Sequence, residues 1–171
     1  MPEQEYASTV MLMAMTDGIL LTVEGRSVLR FERALGHPPE KVWRAISDPA
    51  ELEHWFPARV EVDLVPGGRM RFVFPDRQGP TLEGEVTALD PPRLLEYTWG
   101  ESVLRYELRP DGAGCVLVFT HTFDTPADAA KFAAGWHLCL DGLAARLHDA
   151  PAPAAEQWAE HHERYARSFA T

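Results

Sequence analysis

The segments between residues 59 and 123 constrain the fold most, because apolar and polar residues alternate along them and turn residues separate them. A period of two is typical of a β-strand that buries one face. Pro66-Gly67-Gly68, Asp90-Pro91-Pro92 and Pro110-Asp111-Gly112 mark three of the turns. Because no helical pattern interrupts these six strands, the sequence predicts that each strand pairs antiparallel with its neighbour in a meander.

Helices are predicted on both sides of this meander. A strand from Val28 comes first, followed by two short helices, one over 39–47 and one that starts at Asp48. After the meander, apolar residues repeat at steps of three and four between Pro126 and His148, which predicts a long amphipathic helix. The sheet is the only large surface that could cover its apolar stripe. The sequence therefore predicts one α+β domain, in which a curved, seven-stranded antiparallel sheet wraps around a long C-terminal helix and the Val28 strand lies at a sheet edge.

The two ends of the chain have weaker patterns. Residues 1–26 are predicted to be a poorly specified extension, in which Met15 is an alternative start to Met1, and 27–150 form the folded domain. Residues 151–171 are predicted to add one amphipathic helix, because aromatic residues recur there at helical spacing. A helix this short is marginal alone, so it should pack either on its own domain or on a partner subunit. The expected state is a monomer or a homodimer.

The charge balance excludes several classes of partner. The 171 residues include 26 acidic and 16 basic side chains, a net charge of −10. Nucleic acids and anionic lipids require clustered Lys and Arg, so neither is an expected partner. No apolar segment reaches the roughly 20 residues of a membrane span, and the acidic start MPEQEY is unlike a signal peptide. The two cysteines, Cys115 and Cys139, are predicted to be buried thiols, which fits a cytoplasmic location.

Four segments together resemble one protein family. They are VLRFERALGHPPEKVWRAISDPAELEHWFP, PGGRMRF, LDPPRLLEYTWG and FTHTF…GWHLCLDGL. Their order and spacing, from Ser27 to Leu147, resemble the SRPBCC superfamily, and specifically its bacterial branch related to the activator of the heat shock protein 90 ATPase. The resemblance implies a helix-grip (START/Bet v-like) fold with a hydrophobic cavity between the sheet and the long helix. Members include lipid carriers, hormone receptors and polyketide cyclases or aromatases, so the fold implies a cavity without naming its ligand.

The large side chains that face inward are the expected lining of that cavity. Strand alternation, helix phase and the family's cavity position select them. The alternative is that these residues simply fill the core. The predicted ligand-binding residues are Trp55, Phe72, Tyr97, Trp99, Tyr106, Phe119, His121, Phe132, Trp136 and Leu140. Of these, His121 could orient a ligand hydroxyl or carbonyl or move a proton, although a core histidine bonded to the backbone is the commoner arrangement.

Motifs for covalent or metal chemistry are missing from the sequence. There is no GxSxG nucleophile motif, no P-loop and no zinc-ligand spacing, so no catalytic residue, cofactor or metal ion is predicted. His161 and His162 are adjacent and lack a histidine four residues away, which predicts a solvated helix surface rather than a metal site. His137 is expected toward the polar side of the long helix and near an edge, where it could touch the end of a strand.

Three functions are therefore compatible with the sequence. The preferred hypothesis is a protein that binds a small apolar or amphipathic molecule between sheet and helix, without a catalytic constellation, so a binder is favoured over an enzyme. The first alternative is a polyketide cyclase- or dehydratase-like enzyme that uses the same cavity. The second is an interaction module that activates a chaperone ATPase, which should show an exposed apolar patch.

Overall fold

The computed structural model describes residues 16–74 and 81–170; Met1 and Met15, the two candidate starts, lie outside these ranges. The described strands are β1 (Ile19–Val23), β2 (Arg26–Leu35), β3 (Arg59–Val62), β4 (Arg69–Val73), β5 (Leu82–Asp90), β6 (Leu94–Trp99), β7 (Ser102–Asp111) and β8 (Gly114–Phe123). They form one antiparallel sheet in the order β1-β2-β8-β7-β6-β5-β4-β3. The consecutive pairing from β3 to β8 confirms the predicted meander.

Two of the described helices come before the meander in the sequence, and two come after it. They are α1 (Pro39–Ser47), α2 (Pro49–Leu52), α3 (Ala129–Leu147) and α4 (Gln157–Phe169), and a 3-10 turn at Pro126–Asp128 leads into α3. Pro39 and Pro49 occupy the first turns of α1 and α2, where a missing N–H removes no helical hydrogen bond. None of the helices in the described ranges is both long and apolar enough to cross a membrane.

Strand β1 corrects two predictions about the N-terminal region. Residues 1–26 were expected to be an unspecified extension, and the Val28 strand was expected at the edge of a seven-stranded sheet. Instead, Ile19–Val23 pairs with β2 through a tight turn in which Glu24 and Gly25 have positive φ angles of 51° and 80°. β1 therefore takes the edge, and β2 lies between β1 and β8. The sequence ILLTV has no alternation, and most of its side chains are exposed, so its pattern did not indicate a strand.

The core lies between the sheet and α3. Phe119 of β8 contacts Trp136 of α3 with ring centroids 4.9 Å apart, and Phe123 contacts Phe132 at 5.0 Å. Leu140, one turn further along α3, is also buried. Burial of these large apolar surfaces stabilises the packing of the helix on the sheet. The arrangement confirms the predicted α+β helix-grip fold, with one strand more than expected.

The C-terminal helix α4 packs against α3 within the same chain. Its residue Tyr165 is buried, and the hydroxyl oxygen accepts a hydrogen bond from the Gly18 N–H at 2.8 Å. The neighbouring Arg164 donates two hydrogen bonds to the carboxylate of Asp17, at 2.9 and 3.0 Å. These contacts connect α4 with the residues just before β1, so the helix docks on its own chain, which is the first of the two predicted arrangements.

Candidate functional site

All ten predicted ligand-binding residues belong to the interior between the sheet and α3. Eight of them are buried, whereas Trp99 and Phe132 are only partly buried. Trp55 follows α2. The strands supply six of the residues, which are Phe72 (β4), Tyr97 and Trp99 (β6), Tyr106 (β7), and Phe119 and His121 (β8). The long helix α3 supplies Phe132, Trp136 and Leu140.

Ring contacts join most of these residues into one aromatic cluster. Phe72 stacks on Tyr97 with ring centroids 5.7 Å apart, and Tyr106 contacts Phe119 at 5.1 Å. Trp136 completes the connection to α3 through Phe119. The rings thus touch one another, and five surface pockets of the described residues are lined by other side chains. A cavity lined by the ten residues therefore stays a prediction, and a ligand would have to separate these rings.

Further aromatic residues contact the cluster and were not among the ten predicted, and Phe56 and Phe123 are two of them. Phe56 contacts Trp99 and Trp136, with centroids 6.5 and 5.8 Å apart, and Phe123 contacts His121 at 5.0 Å. Phe123 shares the alternating face of β8 with His121, so the strand pattern could have identified it. Phe56 follows α2 in an irregular segment, where periodicity does not indicate the direction of a side chain.

Two N–H groups in the aromatic cluster have no acceptor in the described ranges. Trp136 Nε1 donates to His121 Nδ1 at 2.9 Å, which leaves the proton of the neutral imidazole on Nε2. His121 Nε2 and Trp99 Nε1 are both buried and have no hydrogen-bond partner within the described residues. Their rings lie 5.7 Å apart in an edge-to-face arrangement. A buried donor without an acceptor costs about 1–3 kcal/mol, and an acceptor atom of a bound molecule would remove that cost.

The environment of His121 suits hydrogen-bond donation better than proton removal. Burial lowers the pKa of His121 to about 4, because the surrounding rings cannot replace the hydration of an imidazolium. The side chain is therefore neutral at pH 7, and its Nδ1 lone pair is used by the indole N–H of Trp136. A general base works best with a free lone pair and a pKa near the working pH. The available group of His121 is instead the Nε2–H donor.

A pair of tyrosine hydroxyls is the other polar feature of the interior. The Oη atoms of Tyr97 and Tyr106 are 2.8 Å apart, and burial raises the pKa of both phenols. Both hydroxyls therefore keep their protons at neutral pH. Their mutual contact uses one of the two hydroxyl hydrogens, so the other can be donated to a bound molecule.

A second group of polar side chains lies between α3 and α4. His137 is buried, and its Nε2 atom is 3.6 Å from Asp141 Oδ2. The His161 ring lies 4.1 Å from the His137 ring, and both of its nitrogens are buried without a partner in the described ranges. The predicted solvated surface is therefore wrong for His161, because α4 packs that side of the helix on α3.

This second group contains the ligand types of a metal site. One ligand atom from each of His137, Asp141 and His161 lies within 4.8 Å of the other two. Burial, together with the charge of Arg33, lowers the pKa of His137 to about 4, and burial lowers that of His161. Both imidazoles are therefore neutral at pH 7, which is the form that binds metal ions.

The fold and the aromatic interior define the chain as an SRPBCC-type helix-grip domain, which confirms the resemblance in the sequence. Within that class, the sequence profile of the family described as "Activator of Hsp90 ATPase homolog 1-like protein" matches residues 36–148. The chain belongs to this family. A search of curated proteins found no match.

Solved structures of similar fold come from several bacteria. CalU16 from Micromonospora echinospora is 23% identical, with a TM-score of 0.73 over 91% of this chain and 99% of that chain. The protein encoded by BPP1335 from Bordetella parapertussis is 27% identical, with a TM-score of 0.68 over 90% of this chain and 91% of that chain. DynU16, described as a protein in the dynemicin biosynthetic locus, is 22% identical, with a TM-score of 0.65 over 74% of this chain and 49% of that chain. These similarities support the helix-grip fold, and the ligand has to be inferred from the site.

Proposed function

We propose that the protein binds a small, mostly apolar molecule that carries a hydrogen-bond acceptor, in the aromatic interior between the sheet and α3. The observation that carries this proposal is the pair of buried N–H groups, Trp99 Nε1 and His121 Nε2, which lack acceptors among the described residues. Buried polar groups of folded proteins are nearly always paired. A carbonyl, ether or phenolic oxygen placed against these donors would satisfy them.

The rest of the interior favours an uncharged ligand. Phe72, Phe119 and Trp136 offer ring faces and edges that pack well on aromatic or aliphatic groups. Among the described residues, the buried guanidinium belongs to Arg33, which pairs with Asp141 on the other side of α3 and not with the interior. A charged ligand group would lose its hydration in the interior without gaining a counter-charge.

Access to the interior requires movement of the rings that are least buried. Trp99 and Phe132 are partly buried, and each contacts His121, with ring centroids 5.7 and 4.9 Å apart. Rotation of either side chain would expose His121 Nε2 to an incoming molecule. We therefore expect ligand binding to change the surroundings of Trp99, which makes tryptophan fluorescence a direct readout.

A cyclase-like enzyme is the alternative function of the same interior. Binding without chemistry is favoured because the His121 imidazole is held neutral by burial and its lone pair is occupied by Trp136. An enzyme would convert the bound molecule, whereas a carrier would release it unchanged. Mass spectrometry of a recovered ligand therefore distinguishes the two functions.

The test compares two probes of matched shape, 2-acetylnaphthalene, whose carbonyl accepts hydrogen bonds, and 2-isopropylnaphthalene, which has no acceptor. We expect the ketone to bind about tenfold more tightly, which corresponds to about 1.4 kcal/mol for the new hydrogen bonds. Quenching of tryptophan fluorescence measures both affinities. Trp99→Phe keeps an aromatic ring but removes Nε1–H, and it should reduce the preference for the ketone. Trp158→Phe changes a tryptophan of α4 that stacks on His162, and this matched control should keep the preference.

Three results would contradict the proposal: equal affinity of the wild-type protein for both probes, binding of neither probe, or an unchanged preference in Trp99→Phe. The ketone recovered after incubation should have its original mass. A converted product would instead support the enzymatic alternative.

A further inference from the structure

We infer that His137, Asp141 and His161 form a binding site for a divalent transition-metal cation such as Zn²⁺, located between α3 and α4. One ligand atom from each residue lies within 4.8 Å of the other two. Two imidazole nitrogens and one carboxylate oxygen are a donor set that suits Zn²⁺ and its neighbours in the first transition row. Three protein ligands leave the fourth tetrahedral position for a water molecule.

Helix geometry brings two of the ligands together. His137 and Asp141 are four residues apart on α3, so their side chains lie one turn apart on the same face. The atoms His137 Nε2 and Asp141 Oδ2 are 3.6 Å apart. Ligand atoms of a tetrahedral zinc ion with bonds of about 2.0–2.1 Å lie roughly 3.3–3.4 Å from each other. This pair is therefore already close to the separation that a zinc ion requires.

The third ligand, His161, comes from α4. Its ring nitrogens, which have no partner in the described ranges, are separate evidence that a species binds here. Both ring nitrogens of His161 are buried and have no hydrogen-bond partner in the described part of the chain. A neutral imidazole carries one lone pair and one N–H, and leaving both unpaired away from water is unfavourable. Coordination of a cation would use the lone pair. His161 also lies against its proposed co-ligand, with its ring 4.1 Å from that of His137.

Contacts outside the three ligands orient two of them. His137 Nδ1 lies 2.7 Å from Tyr165 Oη, which leaves Nε2 available on the side of Asp141. The Oδ1 atom of Asp141 accepts a hydrogen bond from Arg33 Nη1 at 2.7 Å, which leaves Oδ2 available. Metal-binding histidines and carboxylates are held in this way by a second contact. Each of the two ligands thus has one atom fixed by the protein and one atom free for the metal.

The surrounding charges favour a transition metal over calcium or magnesium. Asp141 and Asp17 are balanced by Arg33 and Arg164, so the net attraction for a cation is small and coordination must supply the affinity. Ca²⁺ and Mg²⁺ need several oxygen ligands, whereas imidazole suits zinc, copper and nickel. A bound ion would connect α4 to α3 and stabilise a helix of 13 residues, a length that is marginal alone.

The test uses the full chain, treated with EDTA and dialysed, and titrated with Zn²⁺ at pH 7.5 in a calorimeter. We expect one Zn²⁺ per chain and a higher midpoint of thermal unfolding when Zn²⁺ is present. His161→Ala should weaken the affinity at least about 100-fold, since loss of outer contacts alone costs 10–100-fold. His162→Ala changes the adjacent histidine, which stacks on Trp158, and this matched control should bind Zn²⁺ like the wild type.

Binding of Zn²⁺ by a second histidine pair is the competing explanation for zinc bound by the chain. The rings of His37 and His148 are 4.6 Å apart and could bind Zn²⁺ without α4, so His148→Ala is the second control and should leave the affinity unchanged. Loss of binding in His148→Ala, equal weakening by His161→Ala and His162→Ala, or no binding by the wild type would overturn the proposal.

Co²⁺ gives a readout that needs no variant. The wild-type protein with one equivalent of Co²⁺ should show the intense visible absorption of tetrahedral cobalt, and the weak absorption of octahedral cobalt would contradict the site. Far-UV circular dichroism of every variant shows whether the fold is intact, so a lost affinity is not confused with unfolding.

Discussion

Helix α3 lies between two regions of the molecule. In each region, polar groups have no partner among the described residues, and the two sets of groups predict different kinds of ligand. Toward the sheet, Trp136 enters an interior of uncharged rings, where the N–H groups of Trp99 and His121 find no acceptor among the described residues. The next residue, His137, faces α4, where Asp141 and Asp17 pair with Arg33 and Arg164. There, His161 has no hydrogen-bond partner in the part of the chain that the structure describes. Two adjacent residues of one helix thus enter regions of different chemistry.

The unpaired groups of each region indicate the chemistry of the ligand that would satisfy them. An N–H group without an acceptor is satisfied by an oxygen lone pair, so the interior favours a carbonyl or phenolic ligand. Imidazole nitrogens beside a carboxylate are satisfied by a cation. The region between α3 and α4 that contains His137, Asp141 and His161, called the seam below, therefore favours a metal ion. The two proposals therefore place a site for an organic molecule on one face of this helix and a metal site on the other.

The largest expected effect tests how tightly the interior is packed. Phe119 is fully buried and contacts both Tyr106 and Trp136. Phe119→Ala should lower the free energy of unfolding by about 3–5 kcal/mol, because it removes apolar burial and leaves a cavity. Urea unfolding measures the change, and Phe169→Ala, at the partly buried end of α4, should cost less. A loss below about 1 kcal/mol for Phe119→Ala would show that the ring already borders an open space.

The second prediction concerns the pH dependence of stability that arises from the interior. Burial lowers the pKa of folded His121 to about 4, whereas an unfolded histidine has a pKa of about 6.5. Between these values the unfolded chain binds a proton that the folded chain does not, so stability falls as the pH is lowered through this window. The total loss is about 3 kcal/mol, with a slope of up to about 1.4 kcal/mol per pH unit. Above pH 7 both states are neutral at this residue, and the effect disappears.

A variant that cannot titrate isolates this effect. His121→Gln keeps an acceptor for the Trp136 N–H, and the other titrating groups cancel when it is compared with the wild type. The difference in unfolding free energy between the two proteins should change by about 3 kcal/mol between pH 7 and pH 4, with the wild type losing more stability. Parallel curves would mean that His121 is solvated and that the interior is open to water.

The sequence could predict the elements of the fold better than the contacts between them. Alternation identified β3 to β8, and the apolar stripe identified α3, because each pattern depends only on local periodicity. β1 was missed since Ile19–Val23 lies at an exposed edge and has no alternation. The inward direction of most of the ten predicted residues follows from strand and helix phase, whereas their role as a ligand site stays a prediction.

The contact between His137 and His161 could not be predicted from the sequence, and the cause differs from that for β1. The residues lie on separate helices, and their meeting depends on how the segment between α3 and α4 turns the chain. Periodicity gives the face of each helix but not the relative placement of two helices. The hydrogen bond between Trp136 and His121 is similar, because its donor and acceptor lie on different elements 15 residues apart.

The smallest expected effect compares one substitution in the two regions, Tyr165→Phe in the seam and Tyr97→Phe in the interior. Both phenols are buried and both rings are kept, so apolar packing is matched. Removal of Tyr165 Oη leaves two buried groups without a partner, the Gly18 N–H and His137 Nδ1. Removal of Tyr97 Oη affects one group, the Tyr106 hydroxyl.

We therefore expect Tyr165→Phe to cost about 2 kcal/mol of unfolding free energy and Tyr97→Phe about 1 kcal/mol, since each lost hydrogen bond contributes about 1 kcal/mol. Urea unfolding measures both values. Because the Tyr165 hydroxyl joins α4 to α3 and to the chain before β1, its loss should also speed proteolysis within α4. The reverse order of stabilities, with α4 equally protected in both variants, would show that the seam contributes less to the fold than the interior does.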